Sequence, residues 1–170
     1  MRTMTAIAAA GLAVLAATGC AYSTRSGLPA HIQTVEVPTF RNSKTFYKGL
    51  EARLTRRVKE LVNEDSNVRV VNHGGDASLS GEIIDVQKDV PRETKQDRPA
   101  SVRLTIQAVV SFFDEVEQRP IVQALRISSR EGSEVAGLYE QDRGEVRESA
   151  EDAAIDALAR EIVRRTLGRW

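Results

Sequence analysis

Residues 101–114 alternate more strictly than any other part of the chain. Val102, Leu104, Ile106, Ala108, Val110 and Phe112 take every second position, with Arg103, Thr105, Gln107, Val109 and Ser111 between them. Side chains of a strand point to opposite faces in turn, so a period of two predicts one long strand, buried on one face and mostly wet on the other. An apolar sheet face has to be covered by a second layer. Two stretches of helical spacing can supply it. In residues 45–64, Leu50, Leu54, Val58, Leu61 and Val62 form one stripe. In residues 146–167, Ala150, Ala153, Ala154, Ala157, Leu158 and Ile162 form another, whose small side chains allow close approach. The second helix opens on Glu145, Glu148, Glu151 and Asp152 and closes on Arg160, Arg164 and Arg165, an order that complements its dipole. Gly168 is a natural stop.

The remaining elements are shorter. Residues 31–37 read as a strand with Val35 and Val37 on one face, ended by Pro38, which has no N–H for a ladder. Residues 40–44 read as a turn. Residues 66–71 form the next strand, and a strand–helix–strand order predicts parallel neighbours. The turn at 72–76 holds Gly74 and Gly75 but no phosphate-loop pattern. In residues 77–90, Leu79 and Ile83 share one face while Ile84 and Val86 share the other. An extra residue near Ile83-Ile84, a bulge, would produce such a switch. Residues 91–99 are a charged connection framed by prolines. After a turn at 114–120, residues 121–128 form a weaker strand with Ile121, Leu125 and Ile127 on one face. Residues 130–144 read as irregular. The pattern is α+β, with a single mixed sheet of four to five strands.

The first twenty residues are of another kind. Arg2 precedes an uncharged apolar run, Ala6 to Ala17, and Thr18-Gly19-Cys20 closes it. This is the layout of a secretory signal peptide, too short for a bilayer span of about 20 residues. Small residues before a cysteine resemble a bacterial lipobox, although Ala17 stands where Leu is usual. Cleavage would leave residues 1–19 as leader, 20–28 as lipidated cysteine and tether, and 29–170 as a single domain. Cys20 is the only cysteine in the chain, so no internal disulfide can use it in an oxidising compartment. Acylation would. Each buried CH₂ contributes about 0.8 kcal/mol, and two or more acyl chains anchor stably. Ala21, where an Asp would favour retention in the inner membrane, matches the outer-membrane class. The tether reaches at most about 28 Å, so the domain must stay close to its membrane.

Charge and chemistry exclude several function classes. The chain has 24 basic and 24 acidic residues, and loss of Arg2 with the leader leaves a net charge of −1. That balance gives no reason to expect nucleic acid as a partner. The basic positions 53–59 read as a solvated helix face. No Ser-His-Asp or Cys-His arrangement is present, and the carboxylate pairs Glu115/Glu117 and Glu151/Asp152 sit in surface-like contexts. No enzyme, cofactor or metal is expected. His31 and His73 are the only histidines, and His31 reads as a plain surface or edge residue.

Several segments in their order resemble the LPS-assembly lipoprotein family, LptE. They are CAYSTRSGLPAHIQTVEVPTFRN, GLEARLTRRVKEL, GDASLSGEI, SVRLTIQAVVSF and AREIVRRTLGRW. The resemblance implies a small domain with two helices packed on one face of a mixed sheet, a two-layer sandwich. It implies a plug inside a large outer-membrane β-barrel, LptD-like, that delivers lipopolysaccharide to the cell surface, with lipopolysaccharide itself as a ligand. The location implied is the periplasmic face of the outer membrane. Only Cys20 carries over as a functional residue. Lys88, Arg92, Lys95 and Arg98 around the 91–99 connection are candidate lipopolysaccharide contacts, since charge-assisted bonds to phosphorylated sugars are about twice as strong as neutral ones. The alternative is a stand-alone lipid- or cell-wall-binding lipoprotein, or a pilotin for another pore. For Cys20→Ala the expected outcome is loss of labelling by a fatty-acid analogue and an uncut or misprocessed precursor. Unchanged labelling would remove the lipoprotein assignment.

Overall fold

The computed structural model describes residues 28–43, 47–93, 99–133, 137–140 and 147–168. The expected leader, Cys20 and nearly all of the expected tether lie outside them, as do residues 94–98. Among the described residues the order is β1 (Thr34–Glu36), β2 (Arg41–Asn42), α1 (Leu50–Asp65), β3 (Arg69–Val71), β4 (Ala77–Glu93), β5 (Pro99–Asp114), β6 (Arg119–Ser128), α2 (Ser129–Gly132), β7 (Leu138–Glu140) and α3 (Arg147–Thr166). The sheet runs β3-β1-β4-β5-β6, with β2 on β4 and β7 on β5. The β1–β3 and β1–β4 pairs are parallel, and β4–β5 and β5–β6 antiparallel. The α+β reading with a mixed sheet stands. The sheet is larger than four to five strands because β2 and β7, too short to show a period, add to it.

The long hairpin organises the core. Leu104, Ile106, Ala108, Val110 and Phe112 of β5 are all buried. Ile106, Ala108, Val110 and Phe112 join Leu50, Leu54, Val58, Leu61 and Val62 of α1 and Ala154, Ile155, Leu158, Ala159 and Ile162 of α3 in one cluster. Both long helices therefore cover the same face of the sheet. Ala153 departs from the expected stripe and is exposed, while Ile155 and Ala159 are buried instead. The pairing of α3 with both α1 and the sheet turns its buried sector by about one residue.

The bulge lies where the alternation switches. Ile83 pairs with Ala108 and Asp85 with Gln107, so Ile84 is the extra residue. It converts odd-numbered inward positions, Leu79 and Ile83, into the even-numbered Val86 opposite Ile106. Between them Gly81 takes an inward place that no side chain can fill. A Cβ there would stand 2.3 Å from the Phe40 ring, which is buried against it. A second irregularity shifts β6 so that Val122, not Ile121, opposes Phe112. Ala124 takes φ +48° there and donates its N–H to Ser111 Oγ at 3.1 Å.

Several boundaries move for physical reasons. The first helix starts at Leu50 rather than 45, because Gly49 at φ +88° is outside the right-handed helical region. Positions 41–42 were expected as turn but add to β4 as a parallel pair. The connection expected over 91–99 is shorter, since Arg92 pairs with Ser101 and Glu93 with Pro99. The segment expected to be irregular over 130–144 holds a single helical turn and β7. These satisfy the flank of β5 where β6 ends: Ser129 Oγ accepts from Ile106 N–H (3.1 Å) and Gly137 O from Leu104 N–H (2.8 Å). Gly132 is required there, as a Cβ would lie 2.2 Å from the Ala157 carbonyl oxygen of α3.

Charge sets how the helices meet. Arg53 pairs with Glu151 (3.3 Å) and with Asp152, and Arg57 Nε with Asp156 at 2.6 Å. Of the basic run of α1, Arg53 and Arg57 are thus bound to acidic residues of α3, while Arg56 stays on the solvated face. Exposed pairs contribute only about 0–1 kcal/mol each, so they fix orientation more than stability.

At one end of the sheet a carboxylate ties the chain entry down. Asp76 accepts from the N–H groups of Gln33 (3.0 Å) and Thr34 (2.9 Å) and from Thr34 Oγ1 (2.8 Å). The Gln33 N–H, then the Thr34 hydroxyl, hold its pKa below the ordinary 3.8. A lowered carboxyl pKa contributes stability above the unfolded value, and that stability is lost as pH falls through the folded one. For Asp76→Asn the expected result is a loss on the order of 1 kcal/mol at neutral pH that shrinks on acidification below about pH 4. Chemical denaturation at pH 7 and pH 3 measures it, and an equal loss at both would contradict the role of the charge.

Candidate functional site

With both long helices on one side, the other face of β4, β5 and β6 is free of them. Its centre is the odd-numbered row of β5. Arg103, Gln107, Val109, Ser111 and Phe113 are half-buried there, and Thr105 is buried. This face is drier than the alternation suggests. Every residue of a central strand stands about 5 Å from cross-strand neighbours that shade it. Its rim is polar: Ser80 and Gln87 of β4 and Arg126 of β6 are exposed, and Arg41 Nη2 pairs with Glu82 Oε2 at 2.9 Å. A shallow groove of about 370 Å³ crosses it, lined by Thr39, Arg41, Ser80, Glu82, Val109 and Ser111. Arg103 Nε and Thr105 Oγ1 are buried without a hydrogen-bond partner among the described residues. An orphaned buried polar group costs about 1–3 kcal/mol. Among the described residues, Val116 is the large apolar side chain most open to solvent, at 58 %. The surface carries no extended greasy patch there.

The two ends of the hairpin differ. Ala77 pairs with Asp114 at one end and Glu93 with Pro99 at the other, so sixteen residues of β5 set them about 50 Å apart. The chain enters at the Asp114 end, where His31, Gln33 and Thr34 bond to Asp114 and Asp76. The basic connection lies at the far end. Lys88 is exposed on β4, and Arg92 is part of the same strand. Lys95 and Arg98 lie outside the described residues, as does Cys20.

At the entry end the sequence reading of His31 is corrected. It is not a plain surface histidine, because its Nε2 lies 2.8 Å from Asp114 Oδ2, on a carboxylate with no solvent exposure. Glu117 Oε1 is 3.9 Å from Nδ1. Burial raises the Asp114 pKa, but bonds from Glu117 N–H, His31 and Val116 N–H outweigh it and leave the carboxyl below its ordinary value. The three side chains could hold a cation between them. No local motif announces them, since His31 and Asp114 are 83 positions apart and only the fold joins them. Of the carboxylate pairs singled out in the sequence, Glu115 accepts from Ser78 Oγ (2.6 Å) and Glu117 pairs with Arg119 (2.6 Å), while Glu151 and Asp152 bind Arg53.

Comparison with solved structures places this architecture. A PelC variant from Paraburkholderia phytofirmans, described as a dodecamer, superposes with a TM-score of 0.53 at 10% identity, covering 86% of this chain and 95% of that one. A hypothetical protein of Chlamydia trachomatis gives 0.52 at 13% identity, over 78% and 94%. A protein of Xanthomonas campestris gives 0.50 at 13%, over 80% and 86%. At such identities the likeness is one of fold alone. No curated protein matches the sequence. The family model described as lipopolysaccharide-assembly, LptE, matches residues 32–166, which include every strand and helix of the described residues, and the chain belongs to that family.

Proposed function

We propose that this protein is an outer-membrane lipoprotein that stands as a plug in the lumen of a large LptD-like β-barrel and takes part in lipopolysaccharide transport to the cell surface. The LptE family is one of non-enzymatic lipoproteins in lipopolysaccharide assembly, and that much applies to this chain as a member. Cleavage before Cys20, acylation of its thiol and a location on the periplasmic side of the outer membrane complete the reading. A single domain, residues 29–170, follows the tether.

The observation that carries the proposal is the polar, helix-free face of the sheet. Large barrels have polar interiors, so a plug has to meet its wall through charged and hydroxyl side chains rather than through a greasy patch. Arg103, Gln107 and Ser111 offer such groups, and Ser80, Gln87 and Arg126 are exposed on the rim of the same face. The barrel wall is expected to contact this face and the β4–β5 hairpin. Photo-crosslinkers at Arg103, Gln107 and Lys95 should give adducts to one large outer-membrane protein, recovered in near one-to-one amount. Adducts only to lipid or peptidoglycan would move the assignment to a stand-alone binding lipoprotein.

Lipopolysaccharide contact is assigned to the far end of the hairpin. Lys88, Arg92, Lys95 and Arg98 give four basic side chains there, with Glu93 and Asp97 among them. Neutralising all four should weaken binding of purified lipopolysaccharide several-fold at low salt and erase most of its salt dependence. Equal binding by the quadruple variant would remove the hairpin as the contact.

A further inference from the structure

We infer that His31, Asp114 and Glu117 form a binding site for a single divalent transition-metal ion, of which Zn²⁺ is the type, at the end of the sheet where the chain enters. The donor set is one imidazole and two carboxylates, which suits Zn²⁺ and not the all-oxygen preference of Mg²⁺ or Ca²⁺. Their ligand atoms all lie within 4.8 Å of one another. Asp114 is the fixed member. It is fully buried, and its Oδ1 accepts the N–H groups of Val116 (3.0 Å) and Glu117 (2.9 Å). Outer bonds of this kind orient a metal ligand and leave one oxygen to face the ion. That oxygen, Oδ2, faces His31 Nε2 at 2.8 Å.

A tetrahedral ion about 2.0–2.1 Å from both atoms needs them only about half an ångström further apart. His31 lies on a segment just before β1 and is 30 % exposed, so it has room to give. Glu117 is the mobile member. Its side chain is 46 % exposed, 3.9 Å from His31 Nδ1, and shares a bond of 2.6 Å with Arg119. As the third ligand, its carboxylate would leave Arg119 and turn from the Nδ1 edge of the ring to the Nε2 side, with water as the fourth. Binding displaces the proton shared by His31 and Asp114 and sets two positive charges against two carboxylates. The ion would pin the entry segment to the β5–β6 turn, stiffening the junction between the domain and the tether that leads to Cys20.

His73 is the internal control. It stands 3.7 Å from Glu36, is 93 % exposed, and belongs to no group of three such ligands among the described residues. The test is titration of the purified full chain in detergent with ZnCl₂, followed by calorimetry and by the thermal midpoint. One equivalent should bind, and saturation should raise the midpoint by about 3 °C or more. His31→Ala and Glu117→Gln should each weaken binding at least tenfold, His73→Ala should leave it unchanged, and MgCl₂ should not compete. Asp114→Asn is avoided as the sole variant because it also loosens the turn; Glu117→Gln alters a half-exposed side chain and weakens only its pair with Arg119. Absence of a stoichiometric Zn²⁺ site in the unaltered chain would overturn the proposal. So would equal affinity in the His31→Ala and Glu117→Gln variants, or loss of binding with His73→Ala.

Discussion

The pairing of β4 with β5 is the constraint on which the other parts depend. It runs from Ala77–Asp114 to Glu93–Pro99, with one register shift at Ile84 in its inner half and two more between Asp89 and Glu93 towards the tip. A slip of one residue would send Leu104, Ile106, Val110 and Phe112 to the outer face. Because they all point one way, both long helices have to lie on that side, and among the described residues the opposite side has no layer. The polar free face thus follows from where the apolar residues of one strand fall. Gly81 shows how closely the first layer is filled, since the Phe40 ring occupies the space of its missing side chain.

The hairpin is held at the entry end by side chains and towards its tip by the β7 ladder at Ser101, Val102 and Arg103. Asp76 and Asp114, two carboxylates on adjacent turns, gather the N–H groups of Gln33, Thr34, Val116 and Glu117 and the ring of His31. Buried or half-buried acceptors of this kind are costly unless fully bonded, and here they bind the N-terminal segment to the sheet. The entry segment around His31 and the Glu93–Pro99 pair therefore lie at opposite ends of about 50 Å of strand. A protein held by its N-terminal lipid would present the connection away from its anchor.

Period and parity made much of this legible from residues alone. The six-fold alternation of β5, the stripe of α1 and the face switch at Ile83-Ile84 each reappear as a strand, a buried helix face and a bulge. What was hidden involves short elements and distant partners. β2 and β7 have two and three residues, too few to show a period. Ala153 could not be told from Ala154 or Ala157 by residue type, and its exposure follows from how α3 meets α1. Arg53 and Arg57 look like solvent-facing charges until the fold sets them against Glu151, Asp152 and Asp156. The joining of His31 to Asp114 across 83 positions leaves no local trace. Phe113 and Val109 on the outer face show why that face is only half wet.

The central claim is that the helix-free face is open in the isolated protein and covered in the membrane. Single-cysteine variants measure it directly, because acylation would leave no other free thiol. Ser80→Cys and Gln87→Cys report on the sheet face, and Ala52→Cys and Arg56→Cys on exposed positions of α1. Modification rates by a polar maleimide are compared between purified protein and intact outer membranes. The account predicts that the two sheet-face thiols slow at least tenfold in the membrane, by more than the two helix thiols. Equal rates in both settings at Ser80→Cys and Gln87→Cys, or protection confined to the helix positions, would contradict it.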